Sequence, residues 1–284
     1  MRTVPFEALD PALYREIVRR ALAEDLGWGD VTTEAVVPLD VRATGTIVAR
    51  GACVLAGLDV AAETFRQLDP SCAFRPFFAD GQACAAGAAV ATVEGMAGSL
   101  LTAERTALNF LQHLSGIATL THRFVEECAG RIIVLDTRKT TPTLRALEHY
   151  AVRAGGGAKH RGALDDGVLI KANHLAIAGS VGEAVRRMKA AEPEMPIEVE
   201  VRSLAQVAEA LDAGANTIVA IRLTPDDVRE AVRMARGRAQ VAAAGDFDLG
   251  SVDAFAATGA DYLSIGALTQ SAPAADLRFD LDRR

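Results

Sequence analysis

From residue 131 onward the chain alternates between two hydrophobic periods. Short apolar runs rich in β-branched residues recur at IIVLD (132–136), VLI (168–170), IEVEV (197–201), TIVAI (217–221), QVAAA (240–244) and YLSIG (262–266). Between them lie stretches with helical spacing: TLRALEHYAVRAG, SVGEAVRRMKAAE, SLAQVAEALDAG, TPDDVREAVRMARG and SVDAFAATG. The runs read as buried strands and the amphipathic stretches as helices. Ser180, Ser203, Thr224 and Ser251 stand where N-caps belong, because a hydroxyl oxygen can accept an unpaired N–H of a helix's first turn. Repeated strand–helix units predict an α/β fold with a parallel sheet. A closed or nearly closed barrel fits better than a doubly wound sheet, since no GxGxxG turn follows an opening strand.

Residues 1–115 carry a different pattern. Helical segments near 11–25 and 59–68 flank the strand-like GTIVAR and VLAGL, and GQACAAGAAVATVEG reads as turn and strand. TAERTALNFLQHLSGIATLTHRFVEEC (102–128) is the longest helical pattern and bridges to the barrel. The expected organisation is a smaller α/β domain over 1–115, a barrel over 116–270, and a tail, 271–284, that packs back on the first domain. Half of the residues are hydrophobic, which excludes a disordered chain. The four cysteines lack CxxC spacing and read as buried thiols rather than a metal site. No apolar run is long enough to span a bilayer, so the expectation is a soluble, cytoplasmic protein with no membrane role.

Charge changes the picture locally. The formal net charge is −7, which argues against nucleic-acid binding. Yet from Asp136 to His174 seven Lys and Arg residues face four acids, and three of the five histidines fall there. Such a cluster in an acidic protein predicts a pocket for a small, multiply charged anion. In βα barrels the working groups sit at the C-terminal ends of strands. Arg138 and Lys139 follow the strand ending at Asp136, and Lys171 follows VLI. Glu198 and Glu200 share one face of IEVEV because side chains alternate along a strand. Gly245 and Gly266 end later strands, where backbone N–H groups often cradle phosphate.

The motifs LDTRKTTP, GGGxxHR, the Lys after DDxVLI, EVEV and SIGALTQSAP, with ALAEDLGWGDVTTEAVVP and ERTALNFLQHLSGIAT, resemble those of the quinolinate phosphoribosyltransferases, over nearly the whole chain. The resemblance implies an N-terminal open α/β sandwich, an incomplete, seven-stranded-type α/β barrel, and a homodimer or higher oligomer with shared active sites. It implies a glycosyltransferase of NAD biosynthesis that joins quinolinate to phosphoribosyl diphosphate, giving nicotinate mononucleotide, diphosphate and carbon dioxide. By resemblance Arg138, His160, Arg161 and Lys171 hold the two carboxylates, with Arg105 reaching in from a partner subunit. Lys139 and Lys171 also face the sugar diphosphate, and Lys139, Lys171 and Glu200 carry the catalytic assignment.

The departures from the motifs cluster on one side of the site. Lys159 stands where Asn is usual, Ala172 replaces an acid, Ile221 replaces an Asp and is followed by Arg222, and Ala242 replaces a Glu. The resemblance implies Mg2+, and Glu200 is the ligand that remains. Three readings therefore stay open: the family reaction, with Arg222 or Lys159 supplying charge; a diverged protein that binds or decarboxylates a pyridine dicarboxylate without phosphoribosyl diphosphate; and a non-catalytic ligand-binding subunit.

Overall fold

The computed structural model describes residues 7–283, with only the backbone of Arg283. It divides into two compact units: one of Arg123–Lys139 and Gly157–Gln270, the other of the chain up to His122 together with Thr140–Gly156 and the tail from Ser271.

The second of these units opens with helices α1 (Arg15–Leu26) and α2 (Val31–Val36). Strands β1 (Arg42–Ala49) and β2 (Cys53–Val54) precede α3 (Leu58–Leu68). Strands β3 (Ala73–Pro76), β4 (Ala83–Cys84) and β5 (Ala89–Met96) lead into α4 (Ala97–Cys128). A later helix, α5 (Arg145–Ala154), and the tail strand β12 (Leu277–Arg283) complete the unit. An antiparallel sheet in the order β12-β1-β5-β3 presents one face to α3 and α4. Burial alternates along β1, as it should when one face of a sheet is covered. Ile47, Val93, Phe65, Leu100 and Leu111 fill the layer between, and Phe65 stacks on Phe279 of β12 at 5.8 Å between ring centroids. Gly45 has to be glycine, because a Cβ there would enter the Phe279 ring.

One expectation for this unit differs from the structure. VLAGL is strand only at Val54, and Leu58 already opens α3. The reason is Asp80: its carboxylate accepts from the N–H of Gly57 (2.9 Å) and of Leu58 (3.2 Å), which favours a helix start there. The expected boundary near residue 116 falls within α4, as does the division between the compact units a few residues on, at 122/123, with 140–156 assigned to the N-terminal side. The tail pairs with β1 along its length, Ala43 opposite Arg283 to Ala49 opposite Leu277.

The other unit carries a parallel sheet in the order β6-β11-β10-β9-β8-β7. The strands are β6 (Ile133–Leu135), β7 (Val168–Ile170), β8 (Ile197–Val201), β9 (Thr217–Ile221), β10 (Gln240–Gly245) and β11 (Tyr262–Ile265). Helices α6 (Ala172–Ala178), α7 (Val181–Ala191), α8 (Leu204–Ala213), α9 (Pro225–Ala235), α10 (Val252–Ala256) and α11 (Ala267–Gln270) connect or follow them. The sheet curls, since Leu169 of β7, Val219 of β9, Ala242 of β10 and Tyr262 of β11 pack together on its concave side. It is an incomplete barrel: β6 and β7 are its two ends, and a single parallel bridge, Leu135 to Ala158, extends it beyond β6.

Hydroxyl caps work at Ser180, Ser203 and Thr224, which accept from the N–H of Glu183, Gln206 and Asp227. Ser251 does not cap α10; its hydroxyl instead accepts from Asp248 N–H (3.1 Å), while its own N–H donates to the Asp248 carboxylate (2.8 Å). An Asp three residues upstream competes for the same turn. All four cysteines are buried and free. Among the described residues no helix is long and apolar enough to cross a membrane.

Candidate active site

The strand alternation decides which side chains reach the concave face. In β8 the residues Ile197, Val199 and Val201 are buried, leaving Glu198 and Glu200 on the other side. Register then stacks layers: Glu198 lies beside Thr217, and Glu200 beside Val219, which is beside Ala242, which is beside Tyr262. A cavity of about 740 Å³ runs along this face, lined from Pro196, Thr217, Gln240 and Tyr262 at the N-terminal ends of the strands to Lys171, Arg202 and Gly245 at their C-terminal ends. Seven Lys and Arg side chains line it (Arg138, Lys139, Lys159, Arg161, Lys171, Arg202 and Arg222), together with His160, against four carboxylates.

The first cations are placed by β6 and the segment after it. Asp136 is fully buried at the end of β6, and its carboxylate accepts from His160 N–H at 2.8 Å. Backbone bonds from Ala158 N–H to Val134 and from Asp136 N–H to Ala158 hold the two segments side by side. The Thr137 hydroxyl accepts from Lys139 N–H, and the Thr269 hydroxyl donates to the Lys139 carbonyl, pinning the turn that carries Arg138 and Lys139. Lys139 then lies across Gly266, where a Cβ would press on its side chain at 2.9 Å.

The pairing within the cavity is uneven. His160 Nε2 shares a hydrogen bond with Glu198 at 2.8 Å, and Lys171 stands 4.0 Å from Glu200, which also accepts from Ala172 N–H at 3.4 Å. Arg161 donates to the Gly167 carbonyl at 2.8 Å. Burial lowers the Arg161 pKa from its ordinary value, and the positive charge of Arg138 beside it lowers it further. Arg138 Nε is buried with no hydrogen-bond partner among the described residues. A desolvated guanidinium crowded by a second one is an arrangement that an incoming carboxylate would relieve. At the rim Lys159 pairs with Asp166 and Arg222 with Asp246, each at 3.3 Å. The N–H of Gly162 and then the Lys159 ammonium hold the Asp166 carboxyl below its usual range.

Of the residues singled out from the sequence, Arg138, Lys139, His160, Arg161, Lys171, Glu200, Arg222, Gly245 and Gly266 all line this cavity. Arg105 does not; it stands exposed on α4, 4.0 Å from Glu104. Sequence reasoning missed Arg202 and the anchoring role of Asp136. The signal for Arg202 was available, since it directly follows β8 as Lys171 follows β7.

The donor set does not fit a resident magnesium ion. Magnesium takes oxygen ligands, usually one or two carboxylates with substrate phosphates. Here Glu198 is engaged with His160, Glu200 with Lys171 and Ala172 N–H, Asp166 with Lys159 and Asp246 with Arg222. Among the described residues no group of three or more His, Cys, Asp or Glu is placed to hold a metal. Ala242 and Ile221, where acids were expected, instead pack in the apolar wall with Val219 and Ala244.

The family description quinolinate phosphoribosyl transferase, C-terminal domain, matches residues 117–280, and its N-terminal counterpart matches residues 30–115. Nicotinate-nucleotide pyrophosphorylase [carboxylating] of Mycobacterium leprae is 42% identical over 274 residues, covering 94% of this chain and 96% of that protein. A probable enzyme of the same name from Bacillus subtilis is 38% identical, covering 94% and 93%. Among solved structures, the nicotinate-nucleotide pyrophosphorylase of Francisella tularensis superposes with a TM-score of 0.93 at 36% identity, covering 98% of this chain and 99% of that one. Sequence and fold agree from the N-terminal sheet through the barrel: the chain belongs to the quinolinate phosphoribosyl transferase family.

Proposed function

We propose that this protein transfers a phosphoribosyl group from phosphoribosyl diphosphate to quinolinate with loss of carbon dioxide, forming nicotinate mononucleotide for NAD biosynthesis. The observation that carries the reading is the inner group of cations, Arg138, Arg161 and Lys171, gathered with His160 above an apolar wall, with Arg138 Nε buried and unpaired among the described residues. Quinolinate presents two carboxylates on a flat ring. Guanidinium forks suit the carboxylates, and the apolar wall suits the ring.

Held there, the ring nitrogen attacks the anomeric carbon as diphosphate leaves. The nitrogen becomes a pyridinium, and the neighbouring carboxylate departs as carbon dioxide. The electron pair left on the ring carbon is stabilised by the adjacent positive nitrogen until it takes a proton from water. No side chain has to act as a nucleophile, so positioning and charge do the work. Lys139, across Gly266, and Lys171 face the space the sugar diphosphate needs. The protein works in the cytoplasm as a homodimer, in which Arg105 on α4 of one copy completes the site of the other.

The direct test is incubation with quinolinate and phosphoribosyl diphosphate, with and without magnesium, followed by chromatography for nicotinate mononucleotide. Absence of product in both, with the ligands shown to bind, would remove the reading. The shared site has its own test. Mixing Arg105→Ala with Arg138→Ala subunits places both changes in one site of a mixed dimer and leaves the other intact. Activity should reappear on mixing; no recovery means the sites are not shared.

A second reading is favoured by the apolar replacements at Ile221 and Ala242. Under it, the same cations bind a pyridine dicarboxylate and release carbon dioxide without any sugar donor. Carbon dioxide evolved from quinolinate alone distinguishes it.

A further inference from the structure

We propose that the rim of this cavity takes a diphosphate group directly on Arg222 and Lys159, backed by Lys139, without a divalent metal ion. The inference rests on the reading above that the sugar donor is a diphosphate ester, and it concerns how that donor is held.

Three observations carry it. First, every carboxylate lining the cavity already has a partner, Asp166, Glu200 and Asp246 facing Lys or Arg side chains and Glu198 sharing a hydrogen bond with His160, while Lys139 has no carboxylate partner among the described residues. Seven Lys and Arg side chains against four carboxylates leave the cavity with an excess of positive charge, which disfavours a divalent cation. The charge that disfavours the metal favours a polyanion.

Second, Arg222 is built to point at the rim. Its φ is 55°, a conformation that side chains other than glycine rarely adopt. The backbone there is fixed by Arg222 N–H donating to the Ala244 carbonyl at 3.0 Å, which ties the end of β9 to β10. A strained, fixed backbone holding a guanidinium over a cavity is a common mark of a binding position.

Third, the partners of both cations are easily exchanged. Arg222 and Asp246 are 75% and 79% exposed, and Lys159 and Asp166 are 47% and 45% exposed. Ion pairs this open to water contribute little. A diphosphate offers more oxygens, and forked pairing with the guanidinium, so it displaces Asp246 and Asp166 from their cations. Lys159 and Arg222 supply from the protein the positive charge that a metal ion would bring with the substrate.

Calorimetric titration of inorganic diphosphate into the full-length protein tests this, once with EDTA and once with excess magnesium. Binding in EDTA should be at least as tight as in magnesium, because free magnesium competes for the ligand. Arg222→Ala and Lys159→Ala should each weaken metal-free binding by roughly tenfold or more, the loss of one charge-assisted contact. Arg222→Lys should recover part of it, since charge returns without the fork. Binding seen only with magnesium overturns the proposal, as does equal EDTA affinity in wild type and both alanine variants. Quinolinate titrated into the same samples reports separately on the inner cations and on folding. If quinolinate is ignored while diphosphate binds in EDTA, the functional reading fails and the metal-free subsite stands. If quinolinate binds and diphosphate requires magnesium, only the present inference fails.

Discussion

A buried guanidinium nitrogen without a protein acceptor costs free energy unless a ligand supplies one, and Arg138 Nε is in that position. Arg138→Ala should therefore weaken quinolinate binding by ~2–5 kcal/mol, the range seen when one side of a desolvated charge pair is truncated. Calorimetry measures it, and an unaltered dissociation constant would take Arg138 out of the binding group. Asp80 makes a second prediction at this scale. Its carboxylate accepts from Gly57 and Leu58 N–H and from the Tyr150 hydroxyl at 2.6 Å, yet burial raises its pKa above the ordinary carboxylate value. A folded-state pKa above the unfolded one gives stability that is full below the unfolded value and is lost as pH rises through the folded one. Asp80→Asn removes that titration, at the expense of setting an amide against these donors. The stability gap between wild type and variant should accordingly narrow with rising pH. Denaturant unfolding of both proteins across that range checks the sign; a gap that widens contradicts it.

Among elements, the pairing of the tail with β1 depends on a close approach elsewhere. Gln112 of α4 accepts from Ala275 N–H through its backbone carbonyl and donates through its side chain to the Leu277 carbonyl. One turn further along α4, Gly116 lies against the backbone at Pro273 and Ala274, and a Cβ there would overlap the Pro273 carbonyl oxygen. Backbone atoms cannot rotate aside as a side chain can. Gly116→Ala should thus cost ~1–3 kcal/mol, the usual range for overpacking. It should also hasten proteolysis of the tail, because β12 covers the edge of β1. An unchanged urea midpoint with an equally resistant tail would show that the segment accommodates the methyl group.

Across the whole molecule, a net charge of −7 coexists with a cavity in which seven Lys and Arg side chains outnumber four carboxylates. Without ligand those cations repel one another, and the partly desolvated Arg161 and Arg138 are the clearest case. Quinolinate should therefore bind the folded state and not the unfolded chain. At a free concentration one hundred times its dissociation constant it should add ~2.7 kcal/mol to the unfolding free energy. Thermal scans at increasing quinolinate measure this, with Arg138→Ala as the comparison. A transition temperature indifferent to quinolinate in wild type would contradict the ligand assignment.

By itself the sequence was enough to locate the six barrel strands and the long helix, and to mark Arg138, Lys139, Lys171 and Glu200 as neighbours of one face. These are short-range properties: the hydrophobic period and the position of a charge after a strand are written in consecutive residues. What lies far apart in sequence was decided only by the tertiary structure. A carboxylate at Asp80 ends VLAGL as a strand and starts a helix, and β12 finds its partner more than two hundred residues back. Likewise no local pattern says that Glu198 takes His160 or that Asp246 takes Arg222. Ion pairs and sheet edges choose partners by proximity in space. Whether a carboxylate is free for a metal or already occupied by a neighbouring cation therefore becomes visible only once the strands are in register.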